Sequence, residues 1–378
     1  MHTIIKASEL SSHLTWVVRH QDKNPTNPAA TALTLTQNEG GITISGGGQD
    51  TWAATTLPHP GNDINISVHG RMLLDAAKAF GAADVTLTVN QQGLTLTKGR
   101  SRTTTPPMPP PTPMNIGGMT PLLTVPDGAL QAALCLTGAC TDHGKDAIDG
   151  LMGVHMSLKG NEAVFVGTNR YQAGMVKLAV NTPRELNGLL PMSVVREIVG
   201  APKCETLTVD ADAAGNAVRV RIGSRELVTR LLHPGVNVMT LWGKTAGEDA
   251  TVVECDSAAL LDALRLAILG ADDSGARIGG RRVNAKVVDD VLVLSSTGEN
   301  VGDVSEGAVP YSHVNGPAWS EWVTINALML RNVVANMGAP RIRVHTNMRK
   351  RAPMVITPAH TPPHFSCTQA LIMPIVSH

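Results

Sequence analysis

The sequence has few aromatic residues and no net charge. Phe, Trp and Tyr make up 3% of its 378 residues, so binding that depends on stacking bases against aromatic side chains is poorly supplied. Its 31 basic and 31 acidic residues cancel, which leaves no overall charge to draw the protein onto a polyanion or an anionic membrane. Any electrostatic function must come from how the charges are distributed.

Paired cysteines, a signal peptide and long apolar runs are also missing. An odd number of cysteines without a C-x-x-C pair favours reduced, buried thiols over disulfides or zinc. The start, MHTIIKASEL, lacks a basic region followed by an apolar run, and no window has the length of a membrane span. We therefore predict a cytoplasmic protein. The five cysteines are Cys135, Cys140, Cys204, Cys255 and Cys367.

A threefold internal repeat is present instead. Three apolar-periodic helices end in Gly-Ala, at Gly81, Gly200 and Gly338, where glycine suits a left-handed C-terminal cap. Counting back from each glycine predicts one buried stripe per helix. The stripes are Leu73, Ala76 and Phe80, then Met192, Val195 and Val199, then Leu330, Val333 and Met337.

A second, earlier helix repeats in the same three segments. Its i, i+4, i+7 spacing predicts one buried face per helix, and Asp127 and Asp256 are suitable N-caps. The faces comprise Leu10, Leu14 and Val17, then Leu130, Leu134 and Thr137, then Leu260, Leu264 and Ala267.

Short alternating runs lie between the helices and predict half-buried strands. They include ALTLTQ, ITISG, VTLTVN, LTLTKG, AVFVGT, AVRVRIG, VLVLSS and IRVHT. We predict an α+β protein of three tandem domains, each with two helices on a sheet. The proline-rich stretch 105–114 and the segment 243–249 indicate the boundaries, which gives domains at 1–120, 121–246 and 247–378.

The triple repeat, together with the chain end Leu371 to Ile375 (LIMPI), resembles the bacterial DNA polymerase III beta sliding clamp family. Members carry a Thr-Asp-x-(His/Tyr)-Arg-Leu-Ala stretch, which is similar to residues 168–174 here. The chain departs from the family pattern at Asn169, Gln172, Ala173 and Val376. It therefore resembles a diverged member of the family, such as one encoded by a phage or mobile element.

The resemblance implies a peptide-binding groove for polymerase, clamp loader and other replication proteins. Ala173 in place of leucine would widen it, and methionines would let it adapt to several ligands. The plainer interpretation is that the last residues form a strand of the third domain, and Pro374 argues against that. The implied groove residues are Leu151, Thr168, Arg170, Ala173, Pro234, Val238, Met239, Leu371, Met373, Pro374 and Ile375.

The resemblance also implies a head-to-tail homodimer that closes into a ring of clamp domains, with the helices around duplex DNA. Contact with phosphates would be independent of base sequence. Each cation could equally belong to an ordinary solvated helix face or loop. The candidate DNA-facing residues are Arg19, Lys23, Arg71, Lys78, Lys145, Arg196, Arg265 and Arg331.

For the dimer interface, we predict edge strands at 101–105 and at about 281–287. Thr103 stands where the family often has phenylalanine, and Ile268 and Leu269 would lie beneath the joint.

No catalytic, metal or cofactor signature is anchored in the sequence. GGITISGGGQD lacks the G-K-[ST] of a phosphate loop and predicts a turn between strands. The prolines between His360 and His364 exclude a helical metal pair. We predict a protein without enzymatic activity. The alternatives are a multidomain β-rich hydrolase with a dispersed active site, and a structural or adhesive repeat protein.

Overall fold

The computed structural model describes residues 2–21, 27–61, 64–114, 116–126, 128–141, 148–201, 206–234, 250–271, 281–289, 291–297, 304–347 and 352–375. Within these ranges the chain repeats one order of elements three times. Each repeat has one strand, a helix, four strands, a second helix and three strands. The threefold α+β organisation expected from the helices is therefore confirmed.

The first repeat comprises β1 (His2–Lys6), α1 (Ala7–Val18), β2 (Ala32–Asn38), β3 (Gly41–Gly47), β4 (Thr51–Leu57), β5 (Asn65–His69), α2 (Gly70–Ala79), β6 (Asp84–Asn90), β7 (Gly93–Lys98) and β8 (Ser101–Thr105). A short 3-10 segment, Pro28–Thr31, precedes β2. The GGITISGGGQD stretch is mostly strand β3 and not only a turn, since alternate residues such as Ile42 and Ile44 are buried.

The second repeat comprises β9 (Met119–Pro126), α3 (Ala129–Ala139), β10 (Gly153–Lys159), β11 (Glu162–Thr168), β12 (Gln172–Ala179), β13 (Leu186–Pro191), α4 (Met192–Val199), β14 (Thr206–Asp212), β15 (Ala217–Ile222) and β16 (Arg225–Arg230). A 3-10 segment, Asp149–Leu151, precedes β10.

The third repeat comprises β17 (Thr251–Asp256), α5 (Ser257–Leu269), β18 (Arg282–Val288), β19 (Val291–Thr297), β20 (Val304–Asn315), β21 (Val323–Asn326), α6 (Ala327–Asn336), β22 (Arg341–Thr346), β23 (Met354–Pro358) and β24 (Phe365–Ile372). Among the described helices of all three repeats, none is long and apolar enough to cross a membrane.

The buried faces of the first helices follow the predicted spacing. Leu10, Leu14 and Val17 are fully buried, and the corresponding residues of α3 and α5 are at most 2% exposed. The Asp256 carboxylate accepts a hydrogen bond from the Ala259 backbone N–H, which confirms it as an N-cap. Helix α3 has Gly128 as its N-cap, and Asp127 lies outside the described residues.

The predicted stripes of the second helices are partly wrong. In α2 the fully buried side chains are Leu73, Leu74 and Ala77, whereas Ala76 and Phe80 are half-buried. In α4 the residues Val194, Val195 and Ile198 are buried, while Met192 and Val199 are half-buried. In α6 the predicted residues Leu330, Val333 and Met337 are all buried, so the distance from a terminal glycine gives the buried face of only one of the three helices. Gly81 and Gly338 have positive φ angles of 61° and 67°.

Gly200 does not form the left-handed cap that the repeat predicts. It has φ of −82° and remains right-handed. Its N–H still donates a hydrogen bond to the Arg196 carbonyl at 2.9 Å. The helix can therefore end here without the backbone freedom of glycine.

The chain divides into two compact units. One contains residues 1–124 and 204–231, with a four-stranded sheet in the order β1-β6-β7-β8 and an eight-stranded sheet in the order β5-β2-β3-β4-β16-β15-β14-β9. Helix α1 packs on this second sheet, where the His13 ring lies 2.7 Å from the Thr55 hydroxyl of β4. The strands β4 and β16 join the first repeat to the second.

The other unit contains residues 125–203 and 232–378. Its twelve strands have the order β13-β10-β11-β12-β24-β23-β22-β17-β20-β19-β18-β21. Here β12 and β24 join the second repeat to the third. Each repeat thus contributes two four-stranded groups of strands, where the sequence predicted one sheet per domain. The domain boundaries predicted at 120 and 246 stay a prediction.

Helix α3 approaches its sheet closely enough to require glycine. A Cβ atom on Gly167 of β11 would lie 1.8 Å from the Thr137 carbonyl oxygen of α3, and one on Gly174 of β12 would lie 3.0 Å from Cys140 Sγ. The backbone of the helix therefore rests against the backbone of two adjacent strands. This contact leaves the opposite face of β11 and β12 available for the site described next.

Candidate functional site

Residues that are distant in sequence form one row across five adjacent strands of the twelve-stranded sheet. Thr168 pairs with Ala173, and Ala173 pairs with Leu371. Leu371 pairs with Val355, which in turn pairs with His345. Directly opposite residues point to the same face, about 5 Å apart. Three residues of the predicted groove are therefore neighbours, and Ala173, Leu371 and Val355 form one apolar cluster.

A tight turn between β11 and β12 closes one end of this row. The Thr168 hydroxyl donates to the Gln172 carbonyl at 2.8 Å and accepts from the Arg170 N–H at 3.2 Å. The Asn169 side-chain oxygen accepts from the N–H groups of Tyr171 and Gln172. Asn169 stands where the family has Asp, and it serves as a turn acceptor because its carbonyl oxygen can do what a carboxylate would.

Gln172 connects the turn to the helices on the other face of the sheet. Its amide donates to the Ala139 carbonyl at the end of α3, at 3.0 Å. The amide of Asn332 on α6 donates to the same carbonyl at 2.9 Å. Gln172 is 5% exposed, so the residue that departs from the family arginine is a buried structural residue and does not line the row.

The C-terminal segment has two parts, which match the two interpretations of the sequence. Leu371 and Ile372 belong to β24, an interior strand between β12 and β23, and are almost fully buried. Met373, Pro374 and Ile375 leave the sheet. The Met373 N–H donates to the Tyr171 carbonyl at 2.8 Å, and the Ile375 N–H donates to the Thr324 carbonyl of β21 at 2.8 Å. Val376 lies outside the described residues.

The remaining predicted groove residues come from two other segments of the same unit. Leu151 ends the 3-10 segment before β10 and is 3% exposed. Pro234 is half-buried and follows Leu232, whose backbone pairs with Leu189 of β13. Val238 and Met239 lie outside the described residues.

Four apolar side chains are exposed near these segments, and only one of them is a predicted site residue. Met373 is 39% exposed. The others are Met152 at 43%, Tyr171 at 36% and Leu232 at 42%, and each adjoins a motif of the predicted groove. The predicted residues Leu151, Thr168, Ala173 and Leu371 are thus buried, whereas the exposed Met152, Tyr171 and Leu232 next to the predicted motifs were missed. Burial depends on neighbouring segments, which the sequence does not display.

The described candidate DNA-facing cations are all exposed on helices or helix ends. Arg71 forms an ion pair with Asp75 on α2 at 3.1 Å, and Arg265 pairs with Asp262 on α5 at 2.9 Å. Such exposed pairs are weak and can exchange for another anion. The others are Arg19, Lys78, Arg196 and Arg331. Lys23 and Lys145 lie outside the described residues.

The predicted edge strand at 101–105 is confirmed, and the one at 281–287 is wrong. Strand β8 lies at the edge of its sheet, with Thr103 half-buried. Strand β18 is interior, because it pairs with β19 on one side and β21 on the other. An apolar alternating run cannot reveal how many partners a strand has.

A different strand of the third repeat offers an open edge. Residues 304–310 of β20 pair with β19, and in the described part of the chain no strand pairs with their other side. In the topological repeat, β20 corresponds to β4 and β12, which join to β16 and β24. The first helix crosses each of these strands, and on β20 a Gly307 Cβ atom would lie 2.5 Å from the Ala263 carbonyl of α5.

Helix α5 carries exposed leucines beside this edge. Leu266 is 53% exposed, whereas its equivalents Trp16 and Leu136 in α1 and α3 are 3% and 1% exposed. Leu269 is 75% exposed and the predicted contact Ile268 is 8% exposed. Leu266 was missed by the sequence, although its alignment with Trp16 and Leu136 in the repeat was a usable signal.

The thiols and histidines form no recognisable catalytic or metal centre in the described ranges. Burial raises the pKa of Cys140 and of Cys255 to about 12, so neither is a thiolate nucleophile. Cys135 and Cys367 are half-buried, and Cys204 lies outside the described residues. No group of three or more His, Cys, Asp or Glu that could hold a metal ion occurs among the described residues. Residues 359–364 form no helix, so His360 and His364 do not lie one helical turn apart.

This fold is that of the DNA polymerase sliding clamps. The structure matches the DNA polymerase sliding clamp of Bacillus subtilis with a TM-score of 0.85 at 16% identity, over 100% of both chains. It matches a sliding clamp of Pseudomonas aeruginosa bound to griselimycin with a TM-score of 0.84 at 15% identity, again over 100% of both chains. The DNA polymerase III beta subunit of Thermotoga maritima gives 0.77 at 17%, also over 100% of both chains.

The sequence comparisons point the same way. Residues 1–111 match the family model for the N-terminal domain of the DNA polymerase III beta subunit. The beta sliding clamp of Staphylococcus aureus strain Mu50 is 24% identical over 330 residues, which is 81% of this chain and 83% of the relative. Residues 1–111 thus resemble this N-terminal domain family, and the chain as a whole is similar to bacterial beta sliding clamps in sequence and in fold. These findings give no support to the hydrolase alternative.

Proposed function

We propose that this protein is a DNA sliding clamp, a processivity factor that encircles duplex DNA and tethers the replicative polymerase. The observation that carries the proposal is the threefold repeat with two junctions made inside the chain and the strands for a third left open. A linear chain would have no use for a third junction. A closed ring needs one at every point where two chains meet.

We propose a head-to-tail homodimer in which β8 of one chain pairs with residues 304–310 of β20 in another. Strand pairing would satisfy the open backbone groups of both edges. The exposed side chains of Leu266 and Leu269 would be covered, as Trp16 and Leu136 are covered in the other repeats. Burying one leucine contributes about 1.5–3 kcal/mol, so the two residues would add substantially to the free energy of association.

DNA contact in this proposal is local and weak. The exposed cations of the helices face phosphates, and two of them already share their charge with Asp75 and Asp262. Helix α3 contains no charged residue. With so few cations, retention on DNA comes from closure of the ring, while phosphate contacts allow sliding because they carry no base information.

Partner proteins bind through short linear peptides in this proposal. The site is the surface around Met373, Tyr171, Met152 and Leu232, supported by the buried row from Thr168 to Leu371. Two of the four exposed side chains are methionines, whose flexible thioethers suit several different ligands. One deep apolar anchor of the peptide would supply most of the affinity. The protein would need neither cofactor nor catalytic residue and would act in the cytoplasm.

The test compares retention on circular and linear DNA. The protein is assembled on nicked circular duplex with a clamp loader, freed of unbound protein by gel filtration, and the DNA is then cut once. We expect the circular complex to persist at about 0.5 M salt, where the Debye length is only a few ångströms and phosphate contacts are screened. The protein should leave the DNA after linearisation. Equal retention on both forms would contradict the proposal.

A further inference from the structure

Arg170 has a backbone conformation that its side chain does not favour. Its φ angle is 77°. The other non-glycine residues with positive φ in the described part of the chain are Asp289 and His364, and aspartate and histidine are enriched in this region while arginine is not. Glycine would adopt the conformation without strain. A residue that adopts an unfavourable backbone conformation without stabilising the turn in return is a candidate for a functional role.

The turn itself does not need the arginine side chain. Its hydrogen bonds use the Thr168 hydroxyl, the Asn169 side-chain oxygen and backbone groups. These bonds hold the backbone of residue 170 whatever its side chain is. The guanidinium is therefore placed outward by a turn that is built from other residues.

The guanidinium group has no acidic partner among the described residues. It lies 5.8 Å from the centroid of the Tyr171 ring, a contact that orients the cation. Seven of the other described arginines do form such pairs with Asp or Glu, namely Arg71, Arg219, Arg221, Arg230, Arg265, Arg341 and Arg343. Arg170 is exposed and thus available to an anion from outside.

The position of Arg170 connects this cation to the candidate groove. The neighbouring Tyr171 carbonyl accepts the N–H of Met373, the exposed apolar residue of the C-terminal segment. A ligand in contact with Met373 and Tyr171 would therefore reach the guanidinium with an adjacent side chain.

We propose that Arg170 is a specificity-determining residue, which selects linear peptides that carry an acidic side chain beside their apolar anchor. The planar guanidinium donates two hydrogen bonds to one carboxylate. This inference rests on the proposed peptide-binding function and adds a charge preference to it.

The experiment selects peptides from a random hexamer library displayed on phage, using the full-length protein, Arg170→Gly, Arg170→Lys and Met373→Asp. Peptides that bind the wild type and are lost with M373D define groove ligands. We expect aspartate or glutamate to be enriched in them, and the enrichment to disappear with R170G and persist with R170K. Because glycine relieves the strained backbone, R170G should melt no lower than the wild type, which excludes misfolding as the cause.

A synthetic peptide from the selection, and its Asp→Asn or Glu→Gln partner, then quantify the effect. By fluorescence polarisation we expect the wild type to prefer the acidic peptide about fivefold at low salt, and less at high salt, as for a partly exposed ion pair. R170G should bind both equally. Groove ligands without acid enrichment, or enrichment that survives R170G, would refute the role of Arg170 alone. A complete lack of M373D-sensitive peptides would refute the proposed groove as well.

Discussion

At the residue scale, we expect four buried or half-buried histidines to couple the stability of this fold to pH. His20 lies against the Trp16 ring, with centroids 5.2 Å apart, and its Nε2 atom is buried without a hydrogen-bond partner. Burial, and secondarily the Arg19 charge, lower the pKa of His20 to about 4. Burial also lowers the pKa of His13, His155 and His345. Folding therefore favours the neutral form of all four.

The free energy of unfolding should fall as pH drops from about 6.5 to about 4. Across this window the unfolded chain binds more protons than the folded chain, because the folded pKa of His20 is the lower one. His20 alone accounts for at most about 3 kcal/mol. Urea denaturation at a series of pH values from 8 to 4 gives the free energy of unfolding at each pH. Plotted against pH, this free energy should have a shallower slope for His20→Phe than for the wild type. The two proteins compared at pH 8, where the ring is neutral, isolate the packing effect, and parallel slopes would disprove this coupling.

Met373 is the residue on which peptide binding should depend most directly. Aspartate at this exposed position places a charge against the apolar surface, so Met373→Asp should weaken binding of a polymerase-derived peptide at least tenfold, about 1.4 kcal/mol, without changing the fold. Isothermal titration would measure it. Ile4→Asp, which alters an exposed residue of β1 in the other compact unit, should leave binding intact. Unchanged binding by M373D would remove the C-terminal segment from the site.

At the element scale, helix α3 packs closely on its sheet because the strand residues beneath it are glycines without side chains. Gly167→Ala would bring a methyl group within 1.8 Å of the Thr137 carbonyl oxygen. Neither backbone can move without disturbing β11 or α3, so we expect a loss of about 3 kcal/mol in the free energy of unfolding. Chemical denaturation measures this directly. Gly117→Ala, where a Cβ atom would have open space, provides the matched control, and equal stability of both variants would contradict the close packing.

At the scale of the whole molecule, the open edge of β20 and the exposed leucines of α5 should decide assembly. Leu266→Asp combined with Leu269→Asp should convert the proposed dimer to monomers at low micromolar concentration, because both side chains would otherwise enter the proposed joint. Light scattering after gel filtration would show the halved mass. Met72→Asp changes an equally exposed residue of α2 and should stay dimeric. A double variant that remains a dimer would locate the joint elsewhere.

Local elements were predictable because their causes are local. Leu10, Leu14 and Val17 are buried as their spacing required, and each quoted alternating run forms a strand. The prediction failed where an outcome depends on a distant partner. Strand β18 reads like an edge and is interior, since β21 pairs with it across 40 residues of sequence. Likewise, the sequence did not decide whether Leu371 lines a groove or belongs to a last strand, and the residue lies buried in strand β24.

The sequence by itself determined that the chain contains three copies of one α+β unit, since helical and strand periodicities are written in the order of apolar residues. The tertiary structure alone decided which edges are open, which side chains of the candidate site are accessible, and that Leu266 is uncovered where Trp16 and Leu136 are not. The reason is physical: the pattern of a segment fixes the face it buries, whereas accessibility depends on whether another segment is present to cover that face.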